Sequence, residues 1–180
     1  MFTRVPSKFE DCFQVMFDQK NDNRGHFIKS YHEGMYKDLG IEMVIREEYF
    51  TMSQRHVFRG LHFQHPPKAI AKMVFCVEGK VRDYVVDIRK NSATYGQYQI
   101  FDLDSEKPSI VYVPEGFAHG FYVLSEKALM QYKVSDVFDA ACDAGIDYRS
   151  FEFAKEIVNP IMSARDQSFE DFTNFKTLFV

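Results

Sequence analysis

The densest group of side chains able to do chemistry lies in the run Phe58-Arg59-Gly60-Leu61-His62-Phe63-Gln64-His65-Pro66-Pro67, with Lys72 shortly after it. A lone histidine in a strand is most often a satisfied core residue. Arg, His and Lys crowded together are different, because a core does not bury several cationic groups without partners. A ligand that carries negative charge, or acquires it during a reaction, would compensate them. A second cluster is Val113-Pro114-Glu115-Gly116-Phe117-Ala118-His119-Gly120. Its proline ends a strand, its glycine turns the chain, and His119 returns at the start of the next strand. Taken alone, that pattern is also just a turn.

The second cluster resembles the second motif of cupin barrels, in which that histidine lines the cavity. In the first cupin motif a metal-binding Glu precedes a turn glycine by seven residues. Here Gly79 is that glycine, and Lys72 stands in the ligand position. The paired histidines of the motif would fall at His65 and Pro67, so one is missing. A metal ion needs three or four donors. We therefore expect no metal and no other cofactor, with a fixed ammonium as the electrophile.

The elements that must position these residues read as short strands. Met73–Val77, the turn Glu78-Gly79 and Val81–Ile88 give a hairpin signal. Gln97–Leu103 alternates polar and apolar residues, and Ser109–Pro114, Gly120–Leu124 and Ala128–Val134 follow at regular spacing. This spacing predicts an all-β sandwich or barrel. Earlier in the chain, Phe13–Phe17 and Met43–Ile45 are further strand candidates. From Ser163 onward Asp166, Phe169, Phe172 and Phe175 recur at roughly helical spacing, which predicts a short C-terminal helical segment packed outside or closing one mouth.

The chain has 180 residues, 46% hydrophobic and 27% charged, enough for one packed domain spanning 1–180 and too apolar for disorder. Its net charge of -4 argues against a broadly basic nucleic-acid binder. Cys12, Cys76 and Cys142 are scattered and odd in number, the pattern of a reducing compartment. The opening residues lack an apolar signal-peptide core, and no stretch approaches the roughly 18 apolar residues of a membrane helix. The expectation is a cytoplasmic protein with neither nucleic acid nor membrane as partner.

Longer motifs carry a more specific likeness. Arg59–Gln64, Lys72-Met73-Val74, Val86–Gly96, Pro114–Phe121 and Tyr132-Lys133, in that order, resemble the dTDP-4-dehydrorhamnose 3,5-epimerase family from about Asp22 to Asp166. The resemblance implies a cupin-type jelly roll (a double-stranded β-helix) that works without metal as a homodimer. Its substrate would be a nucleotide-diphosphate 4-keto-6-deoxyhexose. It implies His62 as the base, Asp166 as the carboxylate orienting it, Tyr132 as the proton donor on the opposite face, and Lys72 as stabiliser of the enolate oxygen. Arg59 and His119 would hold the sugar and its diphosphate. Asp143 would contact substrate at a position where the family often has Glu. The segment Asp22–Phe27 would cross to the partner subunit, with Arg24 on the diphosphate and Phe27 against the base.

The chain also departs from the family. Lys29 stands where a Glu contacts thymine, and Glu47-Glu48-Tyr49 aligns with Gln-Asp-Asn. An acceptor has become a donor and an amide an acceptor, which suits the N3 acceptor and N4 amine of cytosine. Lys29 and Glu47 would then read a CDP-linked sugar; alternatively they pair with each other. Phe138 replaces a Tyr near the sugar, Tyr148 replaces a Trp and His56 a Gly. The first of these changes bears on whether C3, C5 or both carbons are epimerised. Three other readings stay open: a keto-isomerase on the same substrate class, a non-catalytic cupin that binds a sugar nucleotide, and a metal-dependent cupin enzyme.

Overall fold

The structure is a computed structural model and describes residues 2–180. Its strands are β1 (Phe2–Val5), β2 (Phe13–Phe17), β3 (Gln19–Asp22), β4 (Gly25–Ile28), β5 (Glu47–Gln54), β6 (Phe58–Gln64), β7 (Lys72–Glu78), β8 (Lys80–Asp87), β9 (Tyr98–Asp104), β10 (Ser109–Val113), β11 (Phe117–Val123), β12 (Lys127–Val134) and β13 (Asp143–Gly145). Two short α-helices join them, α1 (Glu33–Asp38) and α2 (Ala164–Gln167). One antiparallel sheet runs β1-β2-β10-β7-β12-β5 and the other β13-β6-β11-β8-β9, while β3 and β4 form a separate hairpin. The all-β cupin-type jelly roll expected from the sequence is the observed architecture.

The inward faces of both sheets share one core, including Val74 and Cys76 from β7, Val81 and Val85 from β8, and Phe117 and Phe121 from β11. The outer face of the five-stranded sheet is buried too. Phe58, Tyr84 and Tyr122 pack there against Phe151, Phe153 and Phe179 from the C-terminal region. Every residue of β11 is therefore buried, which explains its nearly continuous apolar sequence.

Two sequence expectations fail, and a third, the short C-terminal helical segment, is present but ends early. β7 and β8 are not a hairpin: β7 pairs with β10 and β12, and β8 with β9 and β11. The intervening Gly79 is a corner between sheets. It has φ +93°, and a Cβ there would fall 2.2 Å from the Lys127 carbonyl oxygen. Met43–Ile45 is irregular; it has an alternating burial pattern but no strand partner, and a strand needs a ladder. The C-terminal helix stops at Gln167. Beyond it the Asp171 carboxylate takes the Thr173 amide and hydroxyl, and Ser150 Oγ accepts from the Phe172 amide. Such side-chain bonds compete with helical ones. The phenylalanines consequently spread over the sheet: Phe172 packs beside Tyr95 and Phe151, and Phe175 beside Phe63.

Candidate active site

A cavity of about 250 Å³ opens between the two sheets, lined by Arg59, His62, Lys72, His119, Tyr132 and Asp143 together with Tyr49, Thr51, Phe138 and Arg165. Parity explains most of this set. Lys72 shares the inward face of β7 with Val74 and Cys76, and Tyr132 that of β12 with Ala128 and Met130. Arg59 and His62 are three apart and should point to opposite faces of a regular strand. They converge because β6 carries an extra residue: His62 lies opposite His119 and Arg59 opposite Phe121, with the register shifting between. Gly60 and Gly120 meet at that bulge. A Cβ on Gly60 would lie 2.5 Å from the Gly120 Cα, so only glycine permits the approach.

His62 and Tyr132 reach the cavity from opposite sheets. His62 Nε2 lies 2.9 Å from Asp166 Oδ1, and Asp166 Oδ2 accepts from the Gly60 amide at 3.1 Å. Ser163 caps α2 by accepting from the Asp166 amide, which sets the carboxylate in place. Burial pushes the Asp166 carboxyl up. The bond from His62, that ring's charge, the Gly60 amide and Ser163 outweigh it, holding the group below its ordinary value. An ionised carboxylate only accepts, so Nε2 carries the hydrogen and Nδ1 keeps its free lone pair. Phe169 sets its ring edge-on to His62 at 5.6 Å.

Burial tunes His62, Lys72 and Tyr132. His62 is shifted down from 6.5, chiefly by desolvation, against the raising effect of Asp166. Lys72 is lowered to about 8 by burial, and donates to the His62 carbonyl at 3.2 Å. Burial drives the Tyr132 hydroxyl well above 10, so it is protonated at neutral pH. Tyr49 stacks on it at 4.8 Å and 16°. Arg59 donates from Nε to Ser53 Oγ at 3.0 Å. His119 Nε2 lies 2.7 Å from Asp83 Oδ2.

A base, a buried neutral acid on the opposite wall and a cation in one cavity suit proton transfer at carbon beside a carbonyl. The family model for dTDP-4-dehydrorhamnose 3,5-epimerase matches residues 6–174. The chain belongs to the dTDP-4-dehydrorhamnose 3,5-epimerase family. It is 34% identical over 165 residues to the dTDP-4-dehydrorhamnose 3,5-epimerase of Shigella flexneri, covering 89% of this chain and 91% of that one. It is equally 34% identical over 165 residues to a dTDP-4-dehydrorhamnose 3-epimerase of Streptomyces niveus, covering 90% and 80%. Among solved structures, an epimerase of Legionella pneumophila in complex with dTDP-4-keto-L-rhamnose superposes with a TM-score of 0.89. That pair is 28% identical, with 98% and 95% of the chains covered.

Within this epimerase-family chain the cavity gathers Arg59, His62, Lys72, His119, Tyr132 and Asp143, with Asp166 directly behind His62. Other expected site residues lie elsewhere. Arg24 is on the exposed β3–β4 hairpin, paired with Asp22 at 2.6 Å, and Phe27 is 59% exposed there. Lys29 follows the hairpin on the surface. Glu47 lines an adjoining cleft that shares Tyr49, Gln64, Ile70 and Phe138 with the cavity, and it accepts from the Phe138 amide at 2.9 Å. Among the described residues no ion pair joins Lys29 to Glu47, so the alternative in which they neutralise each other fails within the chain.

Sequence reasoning overlooked Arg165, Tyr49 and Asp83. Arg165 pairs with Asp143 at 2.5 Å at the cavity wall. The signal for it was adjacency to Asp166. For Asp83 the signal was a charge at inward parity between Val81 and Val85.

Proposed function

We propose that the chain epimerises a dTDP-linked 4-keto-6-deoxyhexose, and the observation that carries this is His62 and Tyr132 on opposite walls of one cavity. The C4 ketone acidifies the protons on C3 and C5. His62 Nδ1 removes one, and the bonding electrons move onto O4. The Lys72 ammonium stabilises that enolate oxygen, a kind of group whose loss typically costs about a hundred- to a thousandfold in rate. Tyr132 delivers a proton to the same carbon from the opposite face, inverting it. Asp166 holds the His62 ring and stabilises its imidazolium. Arg59 and Arg165 bind diphosphate oxygens, the pairing that a guanidinium fork favours; His119 and Asp143 hold the sugar.

In this reading residues 1–180 work as one epimerase domain in the cytoplasm, as a homodimer and without a metal. The β3–β4 hairpin is exposed from Lys20 to Phe27 and carries Arg24 and Phe27 away from their own cavity. A second copy of the chain would receive them, with Arg24 on its diphosphate. Lys29 and Glu47 flank the nucleotide base.

The test is solvent exchange in D2O, followed at C3 and C5 by NMR with dTDP- and CDP-linked 4-keto-6-deoxyglucose. Exchange and inversion at both carbons of the dTDP sugar is the expected outcome. Exchange at C3 alone would make the chain a 3-epimerase, like the Streptomyces niveus relative. Preference for the CDP sugar would assign Lys29 and Glu47 to cytosine. Binding with no exchange for either sugar would end the catalytic reading.

A further inference from the structure

Tyr49 lines the cavity yet takes no part in the reaction as described above. It stands on β5, the edge strand of the six-stranded sheet, directly opposite Tyr132 of β12. Side chains paired in this way across two strands share a face and meet. The two rings lie nearly parallel, 16° apart, with their centroids at 4.8 Å. That separation falls in the range aromatic pairs favour. The Tyr132 ring also meets the His119 ring edge-on, at 6.2 Å and 76°.

Among the described residues no strand lies beyond β5, and Tyr49 is 36% exposed where Tyr132 is only 5% exposed. Tyr49 also lines the adjoining cleft, with Glu47, Val134 and Phe138. Its ring therefore stands as a wall. Tyr132 lies against one face of it, and the cleft and solvent lie around the rest.

We propose that Tyr49 is a positioning residue for the reaction: its ring face holds Tyr132 at the angle from which the hydroxyl delivers its proton, and keeps water from the cleft from delivering one instead. Inversion requires the proton to reach the carbon on the face opposite His62. A phenol ring free to turn about its side-chain bonds loses that direction, and so does a water molecule in its place. Phe at this position presents the same ring face without the hydroxyl. Val keeps a strand-forming side chain but has no ring to stack. The inference rests on the epimerase reading for its meaning in catalysis. The contact between the two rings can be measured without substrate.

The experiment begins with NMR on the full-length chain carrying ring-labelled tyrosines, with Tyr49 and Tyr132 assigned from the Tyr49→Phe and Tyr132→Phe spectra. In the unmodified protein nuclear Overhauser contacts should join the two rings, and their absence overturns the proposal whether or not any variant folds. The second measurement follows dTDP-4-keto-6-deoxyglucose in D2O. Tyr49→Val should lower inversion relative to deuterium exchange at C3 and C5 by about tenfold or more, within what a misplaced catalytic group costs. Tyr49→Phe should restore the ratio. A merely structural role would lower exchange and inversion together; that result, or a Phe variant with as poor a ratio as the Val variant, overturns the proposal. If the unmodified chain exchanges neither carbon of any 4-keto sugar, the epimerase reading falls, and the ring contacts still decide whether Tyr49 holds Tyr132.

Discussion

In the proposed mechanism His62 and Tyr132 divide one proton transfer between two faces of a carbon, and each can be removed separately. In Tyr132→Phe the base can still take the proton and return it to the same face. Deuterium exchange at C3 or C5 should therefore persist while inversion falls by about a hundredfold or more, within the range of general acid catalysis. Proton NMR in D2O reads both events in one sample; equal loss of exchange and inversion would show that Tyr132 does more than donate. The pH profile follows from the same residues. Burial shifts His62 below 6.5, so the base form persists to lower pH than for a free imidazole, and the acid limb of kcat/KM should lie below that value. Lys72 loses its proton at about 8, so activity should fall above it. A bell between these limits is expected from initial rates over pH 5–10; an alkaline limb near 10 would exclude Lys72 as its source.

The bulge in β6 is the element on which the cavity depends. It turns Arg59 and His62 to the same side and sets His62 against His119 on β11. Gly60→Ala would drive a methyl into the Gly120 backbone at a φ of +137°. We expect a stability loss of about 1 kcal/mol or more in urea denaturation, with a lower kcat, because the strands must separate at the point that aligns the two histidines. Unchanged stability with full activity would mean that the strands absorb the methyl without cost. Side-chain order along β6 was legible, since Arg59, His62 and Gln64 stood out by type. Their common face was not, because a bulge is invisible in a single strand's pattern.

At the scale of the molecule, the two sheets are tied at one end by a buried carboxylate. Asp87 is fully buried and accepts from Arg89, Ser92 and Thr94, and Arg89 in turn reaches Asp11 near the N-terminus. Burial raises its carboxyl, but those bonds more than offset that and hold it below 3.8. The unfolded chain would bind the proton first as pH falls. The stabilisation is thus complete above about pH 4 and is lost as pH drops through the lower folded value. Asp87→Ala should cost about 1–3 kcal/mol at pH 7 through the orphaned donors. The deficit should shrink below pH 3.5, which denaturation midpoints at the two pH values would show; a deficit independent of pH would point to packing alone.

By itself the sequence determined the all-β class and most strand positions, because strand periodicity is a local property; its resemblance to the family is what brought His62, Lys72, Tyr132 and Asp166 forward as site candidates. It could not determine that β7 and β8 part at Gly79, or that the C-terminal phenylalanines leave the helix after Gln167. Those outcomes depend on which surfaces are available to cover, and pairing partners lie far along the chain. Nor could it show Asp83 meeting His119 beneath the cavity. Charge in a strand is visible in one dimension; the groups that compensate it are brought together only when the two sheets close on each other.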